Sequence, residues 1–207
     1  MMEQRTDDWF AARLGKVTAS RISDVVAKTK SGVSASRGNY MAQLIVERMT
    51  NKPTESYSNS AMQWGTDTEP LARAAYEMVT DTMVEEVGFV PHPDLEMCGA
   101  SPDGLVNDDG LIEIKCPNTA THIEFLISGD IDNKYCLQMQ WQMACTGRKW
   151  CDFVSFDPRM PEALQIKITR VYVGIDLVAD LESQVKQFLN ETQEKVDFLN
   201  NLKENNG

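Results

Sequence analysis

The stretch that decides the fold is Ser101-Pro102-Asp103-Gly104, followed shortly by Leu111-Ile112-Glu113-Ile114-Lys115. The first part predicts a turn, because Pro presets φ and Gly accepts a positive φ. The second part predicts a strand, on which alternate side chains face the same way, so Glu113 and Lys115 share one face. Apolar residues surround these two charges, which indicates a central strand where a charged group needs a partner or a metal ion.

This arrangement predicts a metal site where the turn meets the strand. Asp103 and Glu113 supply two carboxylates, and Mg²⁺ prefers oxygen ligands while keeping waters and substrate phosphates around it. Lys115 lies beside them, where it can position or deprotonate a water. The set fits metal-assisted hydrolysis of a phosphodiester. Each fragment alone has an ordinary interpretation, as a common turn tripeptide or a solvated strand face, and only the combination favours a site.

Length and composition indicate a single compact domain over residues 1–207. The chain is 42% hydrophobic, and its apolar runs are far shorter than the roughly 18 residues of a membrane span. The N-terminus lacks a charged-then-apolar leader, so we expect a soluble, intracellular protein without membrane contact. Five cysteines without CxxC spacing favour reduced thiols over disulfides or a zinc or iron–sulfur site.

The charge distribution is uneven along the chain. The net charge of −11 argues against a nucleic-acid partner. Residues 1–52 nevertheless hold 9 Lys and Arg against 5 Asp and Glu, so this segment is basic and the remainder is acidic. A basic N-terminal segment suits local contact with phosphates, and ordinary surface charge on amphipathic helices explains it equally well.

Hydrophobic periodicity predicts an α/β (α+β) architecture with a mixed sheet. We expect helices over 7–14, 18–26 and 40–49, a helix that 64–70 leads into and that runs through 79, and helices over 121–127, 134–146 and about 176–203. Strands are expected over 84–90, 95–100, 111–116, 151–156 and 164–173, and a mobile surface loop over 28–39. The apolar side of the last helix is expected to pack on the sheet or across a subunit boundary.

Motifs in the expected order along most of the chain resemble the lambda-exonuclease (YqaJ-type viral recombinase) family of PD-(D/E)XK nucleases. They are Leu14-Gly15 with Thr18-Ala19-Ser20, Trp64-Gly65 with Glu69, Ser101-Pro102-Asp103-Gly104, Glu113-Ile114-Lys115-Cys116-Pro117, Gln138-Met139-Gln140 and Asp157-Pro158-Arg159-Met160. The resemblance implies a restriction-endonuclease-like core, a central mixed β-sheet flanked by helices. It also implies an N-terminal helical segment, about 1–52, that binds the 5′ end.

The activity that this family implies is Mg²⁺-dependent digestion of duplex DNA from 5′ to 3′. The 5′-phosphorylated strand is degraded, and 3′ single-stranded overhangs remain for phage-type recombination by strand annealing. The resemblance further implies a homotrimeric ring, substitution of Mn²⁺ for Mg²⁺, a single-strand annealing protein as partner, and action in the cytoplasm of a bacterial host cell.

The resemblance assigns roles to residues of the catalytic motifs. Asp103 and Glu113 match the metal-binding carboxylates, and the carbonyl of Ile114 matches an additional ligand. Lys115 matches the residue that orients or activates the water, and Gln138 matches the glutamine beside the nucleophile.

Glu69 matches an acidic residue on the helix that borders the family's active site. Thr66-x-x-Glu69 is also the spelling of a helix capping box, which would give Glu69 a purely structural role. We favour the site role, because the resemblance to Trp-Gly-x-x-x-Glu is specific. Gln140 is expected to face away from Gln138 on a helix and to be structural.

A pocket for the terminal 5′-phosphate is implied at Arg13, Thr18 and Ser20, with Ser101 facing the same phosphate. The chemistry agrees with that role, because a helix N-terminus, hydroxyl groups and a guanidinium all bind phosphate. The alternative is that Thr18 or Ser20 caps a helix and that Arg13 is solvated.

Further DNA contacts are expected at Lys28, Lys30 and Arg37, although a solvated loop explains these charges equally well. Two rival functions also stay open. One is a structure- or sequence-specific endonuclease of the same superfamily, and the other is a non-catalytic DNA-binding derivative of the fold.

Overall fold

The computed structural model describes residues 3–29, 32–54 and 59–205, with the side chain of residue 33 left out. The helices are α1 (Asp7–Arg13), α2 (Ile22–Val25), α3 (Ala35–Thr50), α4 (Ser60–Thr80), α5 (Thr119–Ser128), α6 (Asn133–Thr146) and α7 (Ile175–Asn205). The strands are β1 (Val17–Thr18), β2 (Lys28–Thr29), β3 (Gly32–Val33), β4 (Val84–Glu85), β5 (Val90–Pro91), β6 (Cys98–Ala100), β7 (Gly104–Val106), β8 (Gly110–Lys115), β9 (Trp150–Phe156) and β10 (Ile166–Tyr172). Short 3₁₀ turns cover Ala19–Arg21 and Glu162–Leu164.

A five-stranded mixed sheet lies at the centre, in the order β10-β9-β8-β7-β4. β8 and β9 are parallel, while the other neighbouring pairs are antiparallel. A second sheet has the order β1-β6-β5, with β1 parallel to β6. This mixed sheet with flanking helices confirms the predicted fold class. Because β7 pairs with β8, the residue that precedes β7 lies beside the middle of β8.

Helices cover both faces of β8, which explains its run of apolar residues. On one face Ile112 and Ile114 join a cluster that includes Tyr76 of α4. On the other face Leu111 packs with Phe125 of α5 and with methionines of α6. A strand buried on both faces carries charged residues only where the fold supplies them with partners.

The N-terminal elements form a separate cluster with the last helix. α7 packs on α3 and contacts α2 and α6 of the same chain. The Phe188 ring of α7 stacks on Tyr40 of α3 at a centroid distance of 5.8 Å. Of the two expected positions of α7, packing on the sheet is wrong, because its apolar side covers neighbouring helices instead. Packing across a subunit boundary stays a prediction.

The predicted mobile loop over 28–39 is also wrong for the residues of this range that the structure describes, 28–29 and 32–39. β2 and β3 pair as a short hairpin, and α3 already begins at Ala35. The hydroxyl of Ser34 accepts a hydrogen bond from the Ser36 N–H and caps the helix. Lys30, one of the predicted DNA contacts, lies outside the described residues.

Other boundaries differ for local reasons. The expected strand over 84–90 is two short strands that pair in different sheets. The expected turn ends one residue early, because Gly104 is already the first residue of β7. A Cβ added at Gly104 would overlap the Val84 side chain. α4 begins at Ser60 and is capped by Asn59. Within the described residues, no helix is long and apolar enough to cross a membrane.

Candidate active site

Asp103 lies on the bend between β6 and β7 and is tied to the neighbouring strand. Its Oδ2 accepts a hydrogen bond of 2.7 Å from the Ile114 N–H of β8. Burial raises the pKa of Asp103 well above its usual range, and the nearby charge of Glu113 raises it further. A cation beside this buried carboxyl group would favour its ionised form.

Glu113 projects from β8 towards α6, and only 1% of its side chain is exposed. Its Oε1 contacts the Lys115 Nζ and accepts a hydrogen bond of 2.8 Å from Gln138 Nε2. Its Oε2 accepts a hydrogen bond of 2.6 Å from Gln142 Nε2. Both carboxylate oxygens of Glu113 therefore accept hydrogen bonds or an ion pair from neighbouring side chains. Gln142 is not among the residues predicted from the motifs, although its spacing of four from Gln138 on one helix indicates that the two side chains share a face.

Lys115 completes the group that the strand alternation predicted. Burial by itself lowers the pKa of Lys115, but the charges of Glu113 and Asp103 outweigh burial and raise that pKa above its usual value. The ammonium lies 4.9 Å from the centre of the Tyr135 ring. Lys115 is thus a positive charge at neutral pH in this arrangement, which suits it to holding a water or a phosphate oxygen.

Glu69 projects from α4 into the same region. Its Oε1 accepts from Arg73 at 3.0 Å and its Oε2 accepts from Arg5 at 2.6 Å. Glu69 lines a cavity of about 510 Å³ together with Asp103 and Lys115. The capping-box interpretation of Glu69 is wrong, because α4 begins nine residues earlier at Ser60. The sequence analysis did not single out its two arginine partners.

The predicted phosphate-binding residues meet beside the carboxylates. Arg13 Nη1 and Trp9 Nε1 each donate to the Ser101 Oγ at 3.0 Å. The Arg13 guanidinium lies 4.0 Å from the centre of the Trp9 ring. Burial lowers the pKa of Arg13 to about 10, so the group stays charged at neutral pH. This stacking fixes the direction of the guanidinium, and the sequence analysis overlooked Trp9.

A cavity of about 150 Å³ joins these groups to the catalytic motifs. It is lined by Gln4, Trp9, Arg13, Ala19, Ser20, Ser101, Asp103, Glu113, Lys115 and Gln138. Thr18 is buried next to it, with its Oγ1 3.4 Å from the Ser20 Oγ. The Thr18 hydroxyl caps no N–H of the 3₁₀ turn that follows it in the described chain.

The remaining predicted DNA contacts lie elsewhere. Arg37 pairs with Glu191 of α7 at 2.8 Å and donates through Nε to the Val25 carbonyl, with 13% of its side chain exposed. Lys28 is exposed on β2 and lines a different cavity with Arg37. The structure therefore gives Arg37 a packing role and does not bring Lys28 or Arg37 to the catalytic cavity.

The side chains at the catalytic cavity offer oxygen atoms as metal ligands. No group of three or more His, Cys, Asp or Glu side chains within the described ranges is arranged as a metal site. What converges on one cavity is a pair of carboxylates, Asp103 and Glu113, and the Ile114 N–H donates to Asp103. An all-oxygen set with few protein ligands fits Mg²⁺, which is commonly held by one or two carboxylates plus substrate phosphates.

Comparisons with known proteins agree with this geometry. Residues 8–149 match the family of the YqaJ-like viral recombinase domain. An alkaline exonuclease, LHK-Exo from Laribacter hongkongensis, is 50% identical with a TM-score of 0.92, over 98% of this chain and 100% of that chain. A structure of LHK-Exo in complex with dAMP is 51% identical, with the same TM-score of 0.92 over 98% and 100% of the two chains.

A more distant structure bears on the fold alone. A phage-related exonuclease from Haemophilus somnus 129PT is 13% identical with a TM-score of 0.70, over 89% of this chain and 96% of that chain. A search of curated proteins finds no match.

Proposed function

Because the chain belongs to the YqaJ-like viral recombinase family, we propose that it is a Mg²⁺-dependent exonuclease that digests duplex DNA from 5′ to 3′. It degrades the 5′-phosphorylated strand and leaves 3′ overhangs for recombination by strand annealing. The observation that carries the proposal is the cavity in which Arg13 and Ser101 lie beside Asp103, Glu113 and Lys115. Arg13 and Ser101 would bind the terminal 5′-phosphate, and the carboxylate pair would act on the scissile phosphate one nucleotide away.

Asp103, Glu113 and the Ile114 carbonyl would hold the cation. When bound, Mg²⁺ supplies positive charge for the scissile phosphate and the leaving oxygen and lowers the pKa of a water. Lys115, a cation beside Glu113, holds the attacking water or a phosphate oxygen in place. The Gln138 amide donates to Glu113, and its oxygen can accept a hydrogen bond from that water. Glu69 borders the same region as a further acidic group.

The 5′-phosphate would bind at Arg13, Ser20 and Ser101, with Thr18 supporting the Ser20 hydroxyl. Bidentate contact with a guanidinium and donation from hydroxyl groups favour a dianionic terminal phosphate over a 5′-hydroxyl. Each cleavage creates a new 5′-phosphate, so the same pocket draws the strand forward. A structure of the relative LHK-Exo with dAMP supports this proposal, since dAMP is a deoxynucleoside monophosphate of the kind that such cleavage releases.

The proposal includes partners and setting. The enzyme acts as a homotrimer in the cytoplasm of a bacterial host, accepts Mn²⁺ in place of Mg²⁺, and delivers its overhangs to a single-strand annealing protein. Family membership supports these features. Lys28 and Lys30 remain proposed contacts with the DNA backbone, and Arg37 is not included because α7 and the Val25 carbonyl engage its guanidinium.

The test is digestion of a linear duplex labelled at one 3′ end, with Mg²⁺ or EDTA, and with either a 5′-phosphate or a 5′-hydroxyl. We expect the labelled strand to shorten progressively when it carries a 5′-phosphate and only with Mg²⁺, and to shorten slowly when it carries a 5′-hydroxyl. Lys115→Met is expected to abolish cleavage while keeping duplex binding. It removes the ammonium group that holds the water, and the carboxylates Asp103 and Glu113 stay in place.

Each rival has its own outcome in this experiment. Cleavage of a closed circular duplex would establish an endonuclease. Binding without cleavage under any divalent cation would establish a non-catalytic DNA-binding protein. Equal digestion of both kinds of 5′ end, unaffected by Arg13→Ala, would remove the phosphate pocket from the proposal.

A further inference from the structure

Gln142 lies on α6 one helical turn after Gln138, and its side chain is fully buried against β8. Its Nε2 is 2.6 Å from the Glu113 Oε2. The amide nitrogen must face that oxygen, because an ionised carboxylate only accepts hydrogen bonds. We propose that Gln142 is a positioning residue that holds Glu113 in the orientation that binds the divalent cation. This inference rests on the proposed function, since it assumes that Glu113 is a metal ligand.

The two glutamines act on different oxygens of the same carboxylate. Gln138 and Lys115 take Oε1, and Gln142 takes Oε2. Rotation of the Glu113 carboxyl group would break the contacts of both its oxygens. These contacts therefore fix the orientation of the carboxylate plane. Each carboxylate oxygen has two lone-pair directions, and the single bond from Gln142 leaves one direction on Oε2 for a cation. Partners that orient metal-binding carboxylates in this way tune the affinity of the site.

The other half of the Gln142 amide argues against a purely structural role. Its Oε1 is buried and meets no hydrogen-bond donor among the residues that the structure describes. A buried polar atom without a partner lowers stability, so an apolar side chain of the same length would serve packing better. The glutamine is therefore explained by the one bond that its nitrogen makes, and that bond goes to Glu113.

Gln140 is the matched contrast on the same helix. It is also buried, but both of its amide atoms bond to the backbone at the end of β10 and just after it. Its Nε2 donates to the Tyr172 carbonyl at 2.9 Å, and its Oε1 accepts from the Gly174 N–H at 2.8 Å. Gln140→Met should therefore affect folding and leave the metal site unchanged.

The experiment measures Mn²⁺ binding to the intact chain without DNA, by calorimetry and by electron paramagnetic resonance, in wild type, Gln142→Met and Gln140→Met. Gln142→Met is expected to weaken Mn²⁺ binding by about 10- to 100-fold without lowering the melting temperature. Gln140→Met is expected to lower the melting temperature and keep wild-type Mn²⁺ affinity.

Digestion of duplex DNA supplies a second readout. For Gln142→Met we expect half-maximal rate at a higher Mg²⁺ concentration, an unchanged KM for DNA, and recovery of the rate at saturating Mg²⁺. A lost fold would reduce the rate at every Mg²⁺ concentration, so this pattern separates positioning from stability.

Two outcomes contradict the inference in distinguishable ways. If wild type binds Mn²⁺ and Gln142→Met binds it equally well, the positioning role fails and the proposed function stands. If wild type binds no Mn²⁺ and shows no metal-dependent cleavage, both fail together.

Should Gln142→Met not fold, wild type labelled with ¹⁵N-glutamine answers the question. Mg²⁺ should shift the side-chain amide signal of Gln142 and leave that of Gln140 in place, and an unmoved Gln142 signal overturns the inference.

Discussion

Asp103, Glu113 and Lys115 place two negative charges and one positive charge in a buried position. Burial and Glu113 raise the pKa of Asp103, and the two carboxylates raise the pKa of Lys115 against the effect of its burial. One lysine does not neutralise both acids when both are ionised. The remaining negative charge attracts a divalent cation, which is the physical basis of the metal proposal.

A second buried acid, Asp157, allows a test at the residue scale that is independent of catalysis. Its carboxylate is fully buried after β9 and accepts from the Arg159 Nε at 2.7 Å and from the Arg159 Nη2 and backbone N–H at 3.0 Å. Burial alone raises the pKa of Asp157, but the hydrogen bonds from Arg159 and Thr119 together outweigh it and lower the pKa to about 2. Ionised Asp157 therefore stabilises the fold.

We expect Asp157→Asn to reduce the free energy of unfolding by about 2 kcal/mol near neutral pH. A carboxyl group whose pKa is depressed in the fold contributes stability above its unfolded pKa, and that contribution is lost as pH falls through its folded pKa. The difference from wild type should therefore be constant above about pH 4 and shrink towards about pH 2.

Urea denaturation over this pH range measures the effect of Asp157→Asn. Asp109→Asn is the control, since Asp109 forms an exposed pair with Lys149 and its loss should change stability little. A stability difference for Asp157→Asn that stays the same down to pH 2 would contradict the assignment.

At the scale of elements, Arg37 joins α3 to α7 and to the end of α2. It pairs with Glu191, donates to the Val25 carbonyl and lies over the Phe188 ring. Arg37→Met removes the charge and the donor but keeps much of the apolar length. We expect the free energy of unfolding to fall by about 1–3 kcal/mol, because the Val25 carbonyl loses its donor and Glu191 its partner.

Binding of a short duplex, measured by fluorescence anisotropy, should be the same for Arg37→Met and wild type. Lys28→Met is the matched contrast, since Lys28 is exposed on β2 and is a proposed DNA contact. It should leave stability unchanged and weaken duplex binding. Weaker DNA binding by Arg37→Met at unchanged stability would restore the DNA contact that the sequence predicted.

The elements differ in how far local sequence could predict them. The alternation in β8 and β10, the apolar run of β9 and the length of the α6 segment are sufficient, because one face or both faces of these elements are buried over several residues. β2, β3, β4 and β5 are two residues long, too short for any period. Their existence depends on the strands that they pair with, so the sequence interpretation over 28–39 and 84–90 was wrong.

At the scale of the whole molecule, the surface carries large apolar side chains and an acidic net charge. Met78, Met83 and Ile127 are each at least 80% exposed in the single chain. Exposed apolar side chains of this kind suit contacts between copies, and closed rings are a common symmetry for such contacts. We expect the net charge of −11 to disfavour unproductive DNA contacts on the rest of the surface.

Sedimentation equilibrium at micromolar concentration tests the proposed trimer. We expect a mass three times that of the 23.3 kDa chain, and the mass should persist at high salt because apolar contacts are not screened. A monomer under these conditions would exclude the ring.

Local sequence patterns are enough to predict the mixed α/β class, the strand that carries Glu113 and Lys115 on one face, and the acid on the preceding bend. These features depend on residues within about fifteen positions of one another, where turn chemistry and strand alternation act. Only the tertiary structure decided that Arg13 meets Ser101, that Gln142 meets Glu113, and that α7 engages Arg37. Such contacts follow from how helices and sheet bury their apolar faces together, which no local pattern encodes.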